Sequence, residues 1–225
     1  MGTFGDVACW SLQGRKLLSG GEGGILLTND QQIYERAVLL GHNLKRPIQS
    51  VKTDSLQPLD RTGYGLKLRI HPLAALMVKY QLDNYCDAWI QSRKETLEYF
   101  SKEIDGTFLL PMERRDYVTS MGAWYGFMPR ISDDSNIDRK HFVEWMNEKG
   151  FQMSIPKSAP IPSYELFWPD KFTIGKYTKH EINNYDNAKM YYDSIVNIPT
   201  YTFHEYSIID KYIAAIKEYE KKYGY

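Results

Sequence analysis

Lys16 is the residue around which chemistry can be organised in this chain. It stands between a short apolar run, Val7 to Leu12, and the turn Gly20-Gly-Glu-Gly-Gly24, which feeds a second apolar run ending at Thr28. A lysine beside a surface loop is ordinarily a solvated charge. A lysine whose amine is held deprotonated is a nucleophile instead, and a carbonyl cofactor can capture it as a Schiff base. Ser11 lies five residues before Lys16, and a hydroxyl can donate to an anionic oxygen with little bulk. The glycine turn lacks the Gly-Lys-Ser/Thr ending of a nucleotide P-loop and precedes a strand rather than a helix. It reads as a tight turn that needs positive φ.

The elements that must position these residues follow from pattern. Val7 to Leu12 reads as a strand of the buried kind, and Gly24 to Thr28 as a second strand. Asn29-Asp30 can cap a helix whose apolar positions are Ile33, Ala37 and Leu40, ending near Gly41-His42-Asn43. Residues 43 to 62 are polar, contain Pro47 and Pro58, and read as a loop. Pro72 can open a helix with Leu73, Leu76, Met77 and Tyr80 on one face. Trp89, Leu97, Phe100 and Ile104 extend it as a long helix, straight or bent, to Asp105-Gly106. A strand-like segment spans 122 to 131. Asp138 opens a helix with Phe142, Trp145 and Met146 as its stripe, closed by Gly150. Residues 156 to 169 are proline-rich and irregular, and Thr178 to Glu181 reads as a capping box. Asn197-Ile-Pro199 is an extended break before a last helix with Ile209, Tyr212, Ile213, Ile216 and Tyr219 in helical period.

Bulk composition removes whole classes of function. The 225 residues carry 28 basic and 28 acidic side chains, so no net field draws the chain to nucleic acid or an anionic membrane. No apolar run approaches the roughly 20 residues of a membrane span. Cys9 and Cys86 are too few and too far apart for a disulfide framework or a zinc site. His42, His71, His141, His180 and His204 show no metal-ligand spacing, and each reads as a surface or packing residue. No secretory leader is evident. A cytoplasmic protein without a metal is the expectation.

The run Ser11-x-x-x-x-Lys16-x-x-x-x-Gly21-Glu-Gly-Gly24, with its apolar strand and Thr28-Asn-Asp30, resembles the pyridoxal-phosphate lysine segment of the DegT/StrS family of sugar aminotransferases. A second resemblance lies at Gly65-Leu-Lys-Leu-Arg-Ile-His-Pro-Leu-Ala-Ala-Leu76 and Gln81-Leu82. Arg69, Ala75, Gln81 and Leu82 fall in the family register there, while Lys67 replaces an asparagine. The resemblance implies that Lys16 holds pyridoxal 5'-phosphate and moves the proton between the amino donor and the cofactor. It implies that Ser11 contacts the cofactor phosphate, and that Lys67 contacts the phosphate of a neighbouring subunit's cofactor. Related dehydratases carry histidine at the lysine position, so Lys16 implies an aminotransferase. The proline-rich segment reads Ala159-Pro-Ile-Pro-Ser-Tyr164, without the histidine and first tyrosine that relatives show, so substrate contacts there do not transfer.

By this resemblance the fold is α/β: a remnant of the large cofactor-binding sheet domain of an aspartate-aminotransferase-like fold (residues 1–60), then a smaller α+β C-terminal domain with the long connecting helix (61–225). Two strands and one helix cannot cover both faces of a parallel sheet. The resemblance covers the latter part of a family member. The carboxylate that pairs with the pyridine nitrogen, the residue stacking on the ring and the glycine-rich phosphate turn belong to the earlier part. The implied function is amination of a keto sugar, nucleotide-linked, with glutamate or glutamine as donor, in surface polysaccharide, glycan or amino-sugar biosynthesis. The implied assembly is a homodimer, or a pair with a chain supplying the first half. The alternative is a catalytically incomplete fragment or a non-catalytic remnant.

Overall fold

The computed structural model describes residues 2–167 and 185–224. They divide into two units, Met1–Asp87 and Ala88–Tyr225. The division falls later than the boundary expected near residue 60, because residues 61–87 are bound to the first unit by the close contacts given below.

In the first unit, β1 (Val7–Ser11) and β2 (Gly24–Thr28) pair antiparallel, from Val7 opposite Thr28 to Ser11 opposite Gly24. The first strand is not buried as expected, and the second is open as well. Ala8 is covered, but Val7, Trp10, Ile25, Leu26 and Leu27 are exposed, as a two-stranded ribbon must leave them. Asp30 caps α1 (Gln31–Gly41) by accepting a hydrogen bond from the Ile33 amide. The buried face of α1 is Glu35, Val38 and Leu39, whereas Leu40 is 42% exposed. The expected stripe is thus displaced, because Leu39 packs with Val51 and Leu56 in a small core. The expected loop at 43–62 contains α2 (Lys45–Ser50) and a 3-10 turn at Gln57–Leu59. Pro47 lies in the first turn of α2, where its missing N–H breaks no helical bond.

The expected long helix is two helices, α3 (Pro72–Asn84) and α4 (Cys86–Ile104). Tyr85 leaves helical geometry at φ −130°, ψ −22°, and the Asn84 side chain donates back to the Tyr80 carbonyl. Such side-chain bonds compete with helix continuation.

The second unit holds the larger core. Leu97, Phe100 and Ile104 of α4 pack with Phe142 and Met146 of α5 (Arg139–Glu148), and with Ile209, Tyr212, Ile216 and Tyr219 of the closing helix. Between them β3 (Leu109–Leu110) and β4 (Arg130–Ile131) pair antiparallel. The strand expected over 122–131 is reduced to its end, because Gly122 and Trp124 take positive φ of 60° and 48°. The break at 197–199 is extended as expected: Ser154 pairs with Asn197 and Phe127 with Ile198. α6 (Asp186–Ser194) precedes it, and α7 (Tyr206–Tyr223) follows. Asp138 caps α5, and Gly106 and Gly150 follow α4 and α5 at positive φ. The capping box at 178–181 lies outside the described residues. Among the described residues no helix is long and apolar enough to cross a membrane.

Candidate functional site

Lys16 sits half-buried in the connection from β1 to β2. Backbone bonds close this connection at its base: the Leu12 amide donates to the Gly23 carbonyl at 2.9 Å, and the Gly20 amide to the Leu12 carbonyl at 2.9 Å. Within it, the Lys16 amide donates to the Gln13 carbonyl at 2.9 Å, and the Gln13 side chain accepts from the Arg15 amide at 2.9 Å. Gln13 therefore shapes the turn that presents Lys16. Ser11 is exposed, and its Oγ accepts from the Gln13 amide at 3.3 Å. That leaves the hydroxyl hydrogen to donate to a ligand oxygen.

The connection is fixed to α3 by one side chain. The Gln81 amide accepts from the Ser19 N–H at 3.0 Å and donates to the Ser19 carbonyl at 2.9 Å. Beside this clamp, a Cβ on Gly20 would lie 3.2 Å from Ala74 and Val78, so glycine lets the turn lie directly on the helix. Gly21 and Gly23 take φ of +86° and +148°, as the tight turn predicts. The sequence placed Gln81 in a register without giving it a task. Its task is to hold the lysine turn.

Lys67 lies on a different segment, exposed between Tyr64 and His71. This segment is tied to α1, with Tyr64 N–H on the Leu39 carbonyl and Leu68 N–H on the Gly41 carbonyl. Lys67 is thus carried by another part of the unit than the Lys16–Ser11 turn.

A cleft of about 870 Å³ opens beside the glycine turn, with Glu22, Gly23, His42, Arg46, Arg69 and His71 in its walls. Burial first, then the charges of Arg46 and Arg69, holds the His42 pKa below its ordinary value. Two guanidiniums beside a neutral imidazole suit an anion. Arg46 escaped the sequence reading because residues 43–62 carried no periodicity. His71 is engaged otherwise: its Nδ1 accepts from the Leu73 amide and caps α3.

Pyridoxal phosphate can be tested against these side chains. An amine on a clamped turn and a serine hydroxyl with a hydrogen to give match a carbonyl group and a phosphate, and the residues fit those two parts of the cofactor.

Comparison with known proteins adds the wider context. The family model for DegT/DnrJ/EryC1/StrS aminotransferases matches residues 1–217. GDP-perosamine synthase of Escherichia coli O157:H7 is 28% identical over 183 residues, 81% of this chain and 44% of that protein. GDP-4-keto-6-deoxy-D-mannose 3-dehydratase of Escherichia coli O55:H7 is 27% identical over 198 residues, 84% of this chain and 48% of that protein. Among solved structures, an Escherichia coli GDP-4-keto-6-deoxy-D-mannose-3-dehydratase with bound hydrated pyridoxal phosphate matches with a TM-score of 0.77 at 23% identity. The match covers 96% of this chain and 55% of that one. A DegT/DnrJ/EryC1/StrS aminotransferase from Brucella abortus matches with a TM-score of 0.71 at 16% identity, over 97% of this chain and 52% of that one. The chain spans about half the length of the relatives it matches, and the fold is that of the corresponding half of these sugar enzymes.

Proposed function

The chain belongs to the DegT/DnrJ/EryC1/StrS aminotransferase family, and on that premise we propose that it is the lysine-bearing part of a pyridoxal-phosphate-dependent aminotransferase. Its substrate on this reading is a keto sugar linked to a nucleotide, its donor glutamate or glutamine, and its setting glycan or amino-sugar biosynthesis. One observation carries the reading: Lys16 is presented on a turn that Gln81 clamps at both backbone polar groups of Ser19.

Pyridoxal phosphate, when bound, supplies an electron sink for the carbon that bears the transferred nitrogen. The chain's own residues do the rest. Lys16 Nζ would hold the cofactor at its carbonyl group and, as a free amine, would take the proton from the donor carbon and return it. Ser11 Oγ donates to the phosphate. Arg46 and Arg69 bind an anion in the cleft, and a diphosphate linking sugar to nucleoside has the charge they need. Lys67, exposed and on a separate segment, would contact the phosphate held by a second subunit. That reach makes a dimer part of the reading. Cys9 and Cys86 are both thiols, in keeping with a cytoplasmic setting.

A second reading draws on the exposed ribbon. Val7, Trp10, Ile25, Leu26 and Leu27 lie open, which favours a chain whose site is completed by a protein carrying the remaining half of the family fold. The test for both is the visible spectrum with pyridoxal phosphate, for wild type and Lys16→Ala, alone and with such a half. A band present in wild type and lost in Lys16→Ala is the expected result. Its absence from wild type under both conditions leaves the non-catalytic remnant.

A further inference from the structure

The second unit has a small cavity of about 290 Å³ lined by Glu98, Ser101, Met112, Arg114, Met121 and Trp124. Three of these six residues carry a buried polar atom with no hydrogen-bond partner among the described residues: Glu98 Oε1, Ser101 Oγ and Trp124 Nε1. Buried polar groups are paired in the great majority of cases, so three orphans around one cavity require an explanation. Arg114 Nη1 is 3.8 Å from Glu98 Oε1, beyond hydrogen-bond reach, and a group placed between the two could bond to both.

The cavity is held in shape by its surroundings. Glu98 and Ser101 are three residues apart on α4 and therefore share a face. Trp124 is 5% exposed and sits at φ 48°, a conformation that costs a non-glycine residue energy and persists only where the surroundings enforce it. Its ring stands edge-on to Phe127 at 5.7 Å between centroids, and Arg93 Nη1 donates to the adjacent Ala123 carbonyl at 3.5 Å. Met112 is fixed through its sulfur, which accepts from the Met128 amide at 3.2 Å.

From this we propose that the cavity binds a small, neutral, polyhydroxylated molecule of about monosaccharide size. The opposite charges of Glu98 and Arg114 leave the wall without a net charge, which disfavours an ionic ligand. The unmet needs are mixed: an acceptor for the indole N–H, a donor for the carboxylate, and either for the serine. Hydroxyl groups supply both roles from one atom. Met112, Met121 and the indole ring give an apolar surface for the C–H face of such a ring, in the usual mixture of apolar wall and few polar contacts.

The test uses the whole 225-residue chain, labelled with nitrogen-15, with the Trp124 indole signal assigned by Trp124→Phe. D-glucose, D-mannose, myo-inositol and uridine diphosphate-glucose are titrated in turn. The expected result is a saturable shift of that signal with at least one probe, and affinity about tenfold lower in Ser101→Ala and in Glu98→Gln. Melting curves establish that both variants are folded. Binding by a simple sugar assigns the site to free saccharide, and binding by the nucleotide-linked sugar alone assigns it to a linked one. An indole signal that no probe moves, or that shows contact only with long-lived water, overturns the proposal. So does affinity unchanged in both variants.

Discussion

Glu35 carries a carboxylate into the interior of the first unit with 0% exposure. It is satisfied there: its oxygens accept from Gln31 Nε2 and the Lys52 amide at 2.7 Å, and from the Thr53 amide at 3.1 Å. Led by the Gln31 bond, these donors lower its pKa from 4.5 to about 2. A carboxyl depressed in the fold stabilises it above the ordinary value and loses that contribution as pH falls through the folded value. Thermal melts of wild type should therefore lose stability between about pH 4.5 and about pH 2. Glu35→Gln should melt lower than wild type near neutrality and show a flatter acid limb. His42 gives a second reading at the same scale. Burial and the charges of Arg46 and Arg69 lower its pKa, so it too contributes stability above its ordinary value and loses it as pH falls. An anion bound by those arginines offsets their charge while the burial remains. Inorganic phosphate should raise the midpoint of the His42 ring signal, followed by proton NMR and assigned with His42→Gln. A midpoint that phosphate leaves alone would remove the cleft from the substrate-binding argument.

At the scale of elements, the connection between α1 and α3 depends on Gly63. It takes φ +58°, and a Cβ there would lie 2.4 Å from the His42 carbonyl oxygen and 2.6 Å from that of Leu39. Both obstacles are backbone, so neither can swing aside. Gly63→Ala should cost about 3 kcal/mol or more, from the strained conformation plus the forced shift. Denaturant unfolding checks this, and Gly65→Ala is the control: it also has positive φ, but open space around the added carbon. That Gly63 matters was not legible in the sequence, since the clash involves carbonyls from α1's end, about twenty residues earlier. What was legible were features with local causes. Asp30 and Asp138 cap helices through their own side chains, and Gly21 and Gly23 turn at positive φ. Ser11 ends β1 and Lys16 follows in the connection, because Lys16 is only five positions further along the chain. The break at Tyr85 was missed because apolar spacing continues through it while a hydrogen bond from Asn84 does not show in a pattern. The exchange of Leu40 for Leu39 on α1 was missed because a small core chooses its face by tertiary packing. The cleft joins residues from 22 to 71, a proximity that no local motif encodes.

At the scale of the whole molecule, the apolar face read on α3 is present and uncovered. Leu73 is 69% and Leu76 64% exposed, and Met77 and Tyr80 beside them are exposed as well. The spacing that predicted a core-facing stripe was correct in period, but its partner is not among the described residues of this unit, where only Val78 of the helix is buried. Scattered exposed apolar residues are ordinary, whereas a contiguous helical face of four is the kind of surface through which proteins associate. Pairing through α3 also suits Lys67, which lies five residues before Pro72 and on this reading must reach a second subunit. The double variant Leu73→Lys/Leu76→Lys should keep the melting temperature of wild type, because both side chains are solvent-facing and surface changes cost little. It should nevertheless sediment as a single chain under conditions where wild type sediments as a larger species. A wild-type chain that remains single across a dilution series, both alone and with a protein carrying the remaining half of the family fold, would mean that α3 is not the surface through which Lys67 meets another subunit.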